Sequence, residues 1–213
     1  VGSIRVSGTD VPIHEQLLAA IPDDKKGQQL TRSLQPEGFV DFAFCCAWKD
    51  LSQHAPITTL DIRLKDCRIK FDKFPYPLQH VQGMVTATDW HWELEDIEAR
   101  GANDSTVMKC HGVANPAHGD GGSDVELNID AWDVPLDDTM KVALPPPCQQ
   151  AWEDLRPQGR IDFSGHALKP AGSDEPTIEV VLKPRPKTVS LEPRMFPYRL
   201  EQMEGSVVYQ KAQ

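Results

Sequence analysis

The sequence predicts a mainly β protein with short helices, in which repeated antiparallel β-meander units form a curled sheet with a taco-like groove. A pair of helices is expected between the units. Three observations support this fold class. Apolar and polar residues alternate with a period of two over many segments. The 213 residues include 18 prolines and 14 glycines, which indicates frequent turns and few long helices. Three segments also recur at a nearly constant spacing along the chain.

The recurring segments define an internal repeat of 121 to 123 residues. They keep the same order in both copies, which distinguishes them from a chance match of one short motif. The matching pairs are 10–13 with 133–136, 34–42 with 155–163, and 74–78 with 196–200. We therefore expect 1–10 to be the tail strand of an upstream repeat, 11–133 to be one complete repeat of a helix pair plus a β-meander, and 134–213 to be a partial second repeat. Further repeats are expected beyond both ends.

The strands are predicted in order from the alternating segments. These are 40–48, 60–64, 67–71, 81–88, 90–97, 106–113 and 125–131 in the first unit, and 161–163 and 178–182 in the second. The alternation changes phase at Lys65 and Asp66, where a turn is predicted, and residues 118–123 are predicted to form a glycine-rich hairpin loop. Such alternation is typical of an antiparallel sheet with one apolar and one wet face.

Two helical stretches are predicted in each unit. They are 14–20 and 25–34 in the first unit, and 137–144 and 148–155 in the second. Leu17, Leu18 and Ile21 form one apolar stripe, and Met140 and Leu144 form another. We expect these short helices to pack over the apolar face of the sheet and to shield it.

The apolar strand residues predict a candidate lipid-binding groove. A single sheet cannot leave its apolar face in water, so it must close, pair with a second sheet, be capped by helices or curl around a ligand. A curled sheet with an apolar inner wall is suited to acyl chains. The candidate groove residues are Ile62, Leu64, Val125, Leu127, Ile129, Ile161, Phe163, Ile178, Val180 and Leu182.

Composition and motifs argue against several classes of function. The 22 basic and 32 acidic residues give a net charge of −10, which argues against nucleic acid as a partner. No run approaches eighteen apolar residues, so no membrane span is expected. The seven histidines show no metal-ligand spacing, and no catalytic motif is present. We therefore expect no enzyme activity, no catalytic residue, no metal and no cofactor. Asp41 and Asp162, equivalent in the two units, are interpreted as outward strand residues that pair with a neighbouring Lys or Arg.

The five cysteines are interpreted as packing residues, because an odd count without a short CxxC pair fits neither a zinc site nor a disulfide framework. A disulfide between Cys67 and Cys110, across neighbouring strands, is left open for an oxidising compartment. Trp90 and Trp92 are expected in the core, and the alternation places His91 on the opposite, wet face.

The repeated segments resemble the AsmA-like and TamB-like envelope proteins, which belong with the bridge-like lipid transfer proteins. The resemblance is carried by Val-Pro-Leu-Asp at 134–137, Ala-Leu-Pro at 143–145, Pro-x-Gly-x-Ile-Asp-Phe at 157–163, Phe-Pro-Tyr-Pro-Leu at 74–78 with Gly83, the strand-turn-strand at 90–101, and Lys-Cys-His-Gly at 109–112. In that family, long β-sheets fold into a taco-shaped trough with an apolar interior.

This resemblance implies a function in carrying lipid between two membranes, or in supporting outer-envelope assembly. The implied partners are a phospholipid or another acyl-chain ligand, and membranes reached through flanking parts of a longer chain. Pairing of the edge strands with neighbouring repeats is expected separately, because an edge strand presents unpaired backbone groups. The implied location is the bacterial cell envelope, in the periplasm, as part of a membrane-anchored longer protein.

A structural or adhesive repeat is the alternative to lipid binding. In that case the units are β-sandwiches that serve as a spacer or an interaction surface without a ligand. The two alternatives predict different cores. A sandwich has two sheets packed about 10 Å apart over a filled core, whereas a lipid-binding trough keeps part of its apolar face unsealed.

Overall fold

A computed structural model of the chain describes residues 2–20, 31–48, 56–89, 91–115, 124–173 and 175–211. The ten described strands form one antiparallel sheet, in which their spatial order is their order in the chain. The strands are β1 (Gly2–Pro12), β2 (Glu37–Trp48), β3 (Ile57–Phe71), β4 (Phe74–Thr88), β5 (His91–Gly101), β6 (Val107–Asn115), β7 (Asp124–Pro135), β8 (Arg160–Lys169), β9 (Thr177–Pro184) and β10 (Val207–Lys211). The sheet is curled and does not close, so the predicted mainly β meander is confirmed.

Three short helices are described, α1 (Glu15–Ala20), α2 (Asp138–Ala143) and α3 (Pro146–Leu155), and residues 31–33 are also helical. The carboxylate of Asp137 caps α2 by accepting a hydrogen bond from the Met140 backbone N–H at 3.0 Å. Residues 21–30, which include most of the second predicted helix, lie outside the described residues. None of the described helices is both long and apolar enough to cross a membrane.

The register shows that the sheet has one continuous apolar face. Directly opposite residues of an antiparallel pair point to the same side, so successive pairings trace a row across all ten strands. That row is Gly8, Phe42, Ile62, Val85, Leu94, Gly112, Leu127, Ala167, Ile178 and Lys211. With neighbouring strands about 4.8 Å apart, the row is roughly 43 Å long along the curve of the sheet.

The core of the protein occupies one end of this face. Buried there are Val40 on β2, Cys67 on β3, Val81 on β4, Ala131 and Val134 on β7. The neighbouring helix α2 packs against β4, and its residues Met140 and Ala143 are buried in the same core. The predicted shielding by helices therefore occurs, but α2 reaches only this end of the sheet.

One predicted turn is wrong, and β4 begins at Phe74 and not at the predicted residue 81. Lys65 and Asp66 do not form a turn, because β3 continues from Ile57 to Phe71 through them. The register shifts between Leu64 and Cys67, and Asp66 has a left-handed φ of 53°. This geometry is a β-bulge, which inserts an extra residue into one strand and reverses the phase of the alternation without ending the strand.

Candidate functional site

All ten candidate groove residues lie on the apolar face, but not in one cluster. Eight of them lie on three adjacent strands, β7, β8 and β9, where for example Leu127 and Ile178 both belong to the row traced above. The other two, Ile62 and Leu64, lie on β3, four strands away from β7. Period-two alternation assigns a residue to a face, but it carries no information about which strands are neighbours.

The apolar face divides into two ends that differ in burial. We call the covered end the part that includes Val40, Cys67, Val81, Ala131 and Val134, over which α2 packs. We call the open end the opposite part, where the four candidate residues outside the core cluster lie. These four are Val125, Leu127, Ile178 and Val180, and each is partly exposed.

The remaining six candidate residues belong to the core or pack against it. Ile161 is itself a buried core residue, at 9% exposure. The other five are partly buried and pack against the core, namely Ile62, Leu64, Ile129, Phe163 and Leu182. A ligand on the apolar face would therefore meet the four open-end residues first.

Several open-end residues were not among the sequence-based candidates. Phe44, Trp92 and Tyr209 occupy the same face, because Phe44 pairs with Leu60, Trp92 with Ala87, and Tyr209 with Val180.

The period-two alternation around Phe44, Trp92 and Tyr209 identifies the strands that carry them. It does not show that these residues lie beside the groove candidates, because that depends on the order of the strands in the sheet. Leu60 and Ala87 are buried even at this end, so exposure varies from residue to residue along the open end.

The opposite face of the sheet is wet and carries paired charges. Lys65 lies 3.1 Å from Asp41 and 2.8 Å from Asp10. The Asp10 backbone N–H, which donates to Asp41 at 2.9 Å, and Lys65 together hold the pKa of Asp41 below its usual value. The two carboxylates, Asp10 first, raise the pKa of Lys65. The network spans β1, β2 and β3 beside the bulge at Asp10, whose φ is 52°.

The second unit contains the corresponding network. The Asp133 backbone N–H donates to Asp162 at 2.8 Å, and Asp133 has a left-handed φ of 61°. Arg185 contacts Asp133 at 3.2 Å and Asp162 at 3.6 Å, and Arg160 contacts Asp133 at 2.5 Å. The interpretation of Asp41 and Asp162 as outward residues paired with Lys or Arg is confirmed. Their roles are structural, since each accepts from the backbone of a β-bulge.

The cysteines are all free, and the Cys67–Cys110 disulfide is excluded by the topology. Cys67 lies on β3 and Cys110 on β6, so the two are three strands apart, roughly 14 Å at the spacing of a β-sheet. A disulfide needs Cα atoms within about 7 Å. Burial raises the pKa of the Cys110 thiol to about 11, which suits a packing residue and not a nucleophile.

The polar face at the open end holds a cluster of titratable side chains. His91 contacts Glu93 at 2.9 Å and Asn115 at 2.5 Å, and these two hydrogen bonds, Glu93 first, raise its pKa. His91 lies on the wet face and Trp92 on the apolar one, as the alternation predicts, whereas Trp90 is outside the described residues. A nearby depression of about 310 Å³ is lined in part by Glu95. Across the described ranges, no group of three His, Cys, Asp or Glu side chains could hold a metal ion.

The open end of the apolar face offers apolar contact area and few polar groups that would fix the orientation of a ligand. Burial of apolar surface is non-directional and proportional to area, so the open end is suited to ligands without a precise polar pattern. Two cations lie on this face of the described strands. Lys169 pairs in register with Val125 at the end of β8, and Lys211 on β10 pairs in register with Ile178 and lies 2.7 Å from Glu175. Comparison with protein-family models, with curated proteins and with solved structures finds no significant match to this chain.

Proposed function

We propose that the open end of the apolar face binds the acyl chains of phospholipid, in a lipid-carrying β-sheet protein of the AsmA-like and TamB-like kind. The observation that carries this proposal is the apolar face that crosses all ten strands of an unclosed sheet. Four partly exposed aliphatic residues on β7 and β9 lie on this face, outside the core cluster. The shape supported is a trough with one end filled and the other accessible.

The energetics favour an acyl chain over a small polar ligand. Each methylene group that leaves water contributes about 0.8 kcal/mol. About ten buried methylenes would thus contribute roughly 8 kcal/mol before the cost of ordering the chain. Lys169, at the end of the face beside Val125, is placed to attract an anionic headgroup.

The structural alternative is supported by the covered end. There Ala131, Val134 and Met140 form a filled core, as a spacer requires. A β-sandwich, however, needs two sheets packed face to face, and the strands of the described residues all belong to one sheet. A spacer without a ligand would also have to cover Leu127 and Val180 with something other than α2, which packs at the opposite end.

The location follows from the resemblance alone. A trough of this kind would act in the bacterial cell envelope, with flanking parts of a longer chain at the membranes. The proposed activity is carriage of phospholipid between two membranes, or support of outer-envelope assembly.

Lipid loading tests the proposal. The purified chain is incubated with vesicles of phosphatidylethanolamine and phosphatidylglycerol, separated from them, and analysed by native mass spectrometry and lipid extraction. We expect bound phospholipid in the unaltered chain, and at least a tenfold loss in the double variant Leu127→Asp with Val180→Asp, because charges on the open end oppose an acyl chain.

The matched control is the double variant Asn128→Asp with Ser164→Asp, which adds the same two charges on the wet face. This variant should load lipid as the unaltered chain does. The proposal is wrong if the unaltered chain takes up no phospholipid, or if the open-end double variant, still folded by circular dichroism, loads as much as the control.

A further inference from the structure

The same aromatic motif occurs twice in this molecule, in two different environments. In the first unit, Phe74 and Tyr76 have ring centroids 6.2 Å apart, and in the second, Phe196 and Tyr198 have centroids 6.0 Å apart. Tyr76 is 4% exposed, whereas Tyr198 is 65% exposed. The ring separation is thus alike, although the rings are stacked at 25° in the first pair and tilted at 46° in the second. The two pairs differ most in what packs over them.

Tyr76 is covered by the strands that follow it. A Cβ atom at Gly101, the last residue of β5, would lie only 2.7 Å from the Tyr76 hydroxyl, so the backbone passes close to it. Thr106, just before β6, is fully buried beside the same position and donates a hydrogen bond to the Asp133 carbonyl oxygen at 3.1 Å. Burial raises the pKa of Tyr76, and a hydrogen bond with Thr106 partly offsets that effect. The first motif is therefore enclosed by β5, β6 and the end of β7.

A pair of glycines shows the same contrast. Gly83 on β4 has a φ of 138°, and a Cβ there would lie 2.8 Å from the Asp96 carbonyl oxygen, since β5 crosses beside it. Gly205, at the matching position, has a φ of 115°, but no heavy atom of the described residues lies within 4 Å of a Cβ there. Only glycine adopts such a φ without strain, so the second unit has the backbone conformation that accommodates a crossing strand.

One pairing beside the second motif follows the first, although Phe74 and Tyr76 lie on β4 whereas Phe196 and Tyr198 lie outside the described strands. Leu191 bridges to Leu200, as Ile69 pairs with Leu78 one repeat earlier. On its other side, however, β4 pairs with β5, whereas among the described strands β10 pairs with β9 alone and forms an edge of the sheet. Three consecutive residues of that edge are large, apolar and about half-exposed, namely Val207, Val208 and Tyr209.

We propose that Phe196, Tyr198 and the free edge of β10 form a docking surface for a further β-meander unit of the kind that β5, β6 and β7 form. The first strand of that unit pairs antiparallel with β10 and crosses beside Gly205. A glycine and a threonine, in the roles of Gly101 and Thr106, enclose the Tyr198 hydroxyl. The internal copy at Tyr76 supports this occupant, because it shows the same motif with its cover in place. The proposal does not depend on lipid binding.

An extended chain tests the docking surface. Since Gly205 matches Gly83, a second copy of residues 90–160 is joined directly after residue 211. We expect the amides of residues 207–211 that face away from β9 to exchange about 100-fold more slowly in the extended chain. A control extension with the same residues in a permuted order should leave their exchange unchanged.

Replacement of the tyrosines provides the second measurement. In the original chain, Tyr198→Ala should shift Tm by less than about 1 °C, as an exposed substitution does. In the extended chain it should lower Tm by roughly 4 °C or more. Tyr76→Ala is the matched control and should lower Tm to a similar extent in both chains.

Several outcomes would overturn the proposal. It is wrong if residues 207–211 stay unprotected in the extended chain, or if Tyr198→Ala has the same effect with and without the extension. If the original chain is a dimer that already protects β10, a second copy occupies the surface and the proposal is wrong. Should the 90–160 extension fail to fold, an extension by residues 90–115 supplies β5 and β6 alone, and the same two measurements decide.

Discussion

The covered end and the open end belong to the same strands and the same apolar face, yet only one of them is core. On β7, Val134 is 1% exposed, whereas Leu127 on the same face of the same strand is partly exposed. The bulge at Asp133 shifts the alternation by one residue between them and so keeps both on the apolar face. Alternation therefore determines which side of the sheet is apolar, while helix placement determines which part of that side is sealed.

A short connection explains why the helix lies where it does. Only two residues separate the end of β7 at Pro135 from the start of α2 at Asp138. The connection is held in place by a hydrogen bond from the Leu136 backbone N–H to the Gly159 carbonyl oxygen at 2.9 Å. A six-residue helix is about 9 Å long, so α2 covers the end of the sheet where it begins and cannot reach the other.

The largest expected effect comes from placing a charge at each end in turn. Val134→Asp buries an unpaired carboxylate at the covered end, and we expect it to reduce the free energy of unfolding by about 4 kcal/mol or more. Leu127→Asp at the open end should cost less than about 1 kcal/mol, since its carboxylate can reach water. Urea denaturation followed by circular dichroism measures both. Equal losses would mean that both ends are core and that no open end exists.

A smaller effect is expected from truncating α2. Met140 is 5% exposed, and Met140→Ala should lower the free energy of unfolding by about 2–3 kcal/mol, from lost burial and the remaining cavity. Val142 on the same helix is 69% exposed, so Val142→Ala serves as the control and should change stability by less than about 0.5 kcal/mol. If Met140→Ala is as mild as the control, α2 does not seal the covered end.

The smallest effect concerns pH at the open end. The bonds to Glu93 and Asn115 raise the pKa of His91 above 6.5, so the folded state favours its protonated form. Its stabilising contribution is therefore present below about pH 6.5 and is lost as the pH rises through the raised pKa. Amide exchange should accelerate in β5 and β6 near His91 between pH 5.5 and pH 8, after correction for the intrinsic rate, and should not do so near Val134. His91→Gln should abolish this difference, and its persistence in that variant would assign it to another group.

Local patterns in the sequence were sufficient to predict the strands and the face of the sheet on which each strand residue lies. Period-two alternation, read over segments such as 40–48 and 125–131, assigned the groove candidates to one side of the sheet. The outward roles of Asp41 and Asp162 followed in the same way, because they depend on neighbours in the chain and on the adjacent strand. The boundaries of the proposed repeats stay a prediction, although residues such as Gly38 and Gly159 share a left-handed φ at the repeat spacing.

Non-local features could not be predicted in this way. The bulge at Asp66 looks like a turn in the sequence, because both change the phase of the alternation. The predicted pairing of Cys67 with Cys110 put them on neighbouring strands, because local patterns do not give the number of strands between two residues. Ile161 was assigned to the groove, but it belongs to the core, since it lies at the end of the sheet over which α2 packs.

The order of apolar and polar residues is enough to predict a β-meander with one apolar and one charged face, because a strand presents successive side chains to opposite sides. It takes the tertiary structure to show that α2 seals one end of the apolar face, that Leu127 and Val180 stay partly exposed at the other, and that the second Phe-Pro-Tyr motif is uncovered. Burial depends on contacts between residues far apart in the chain, and alternation along one strand does not encode them.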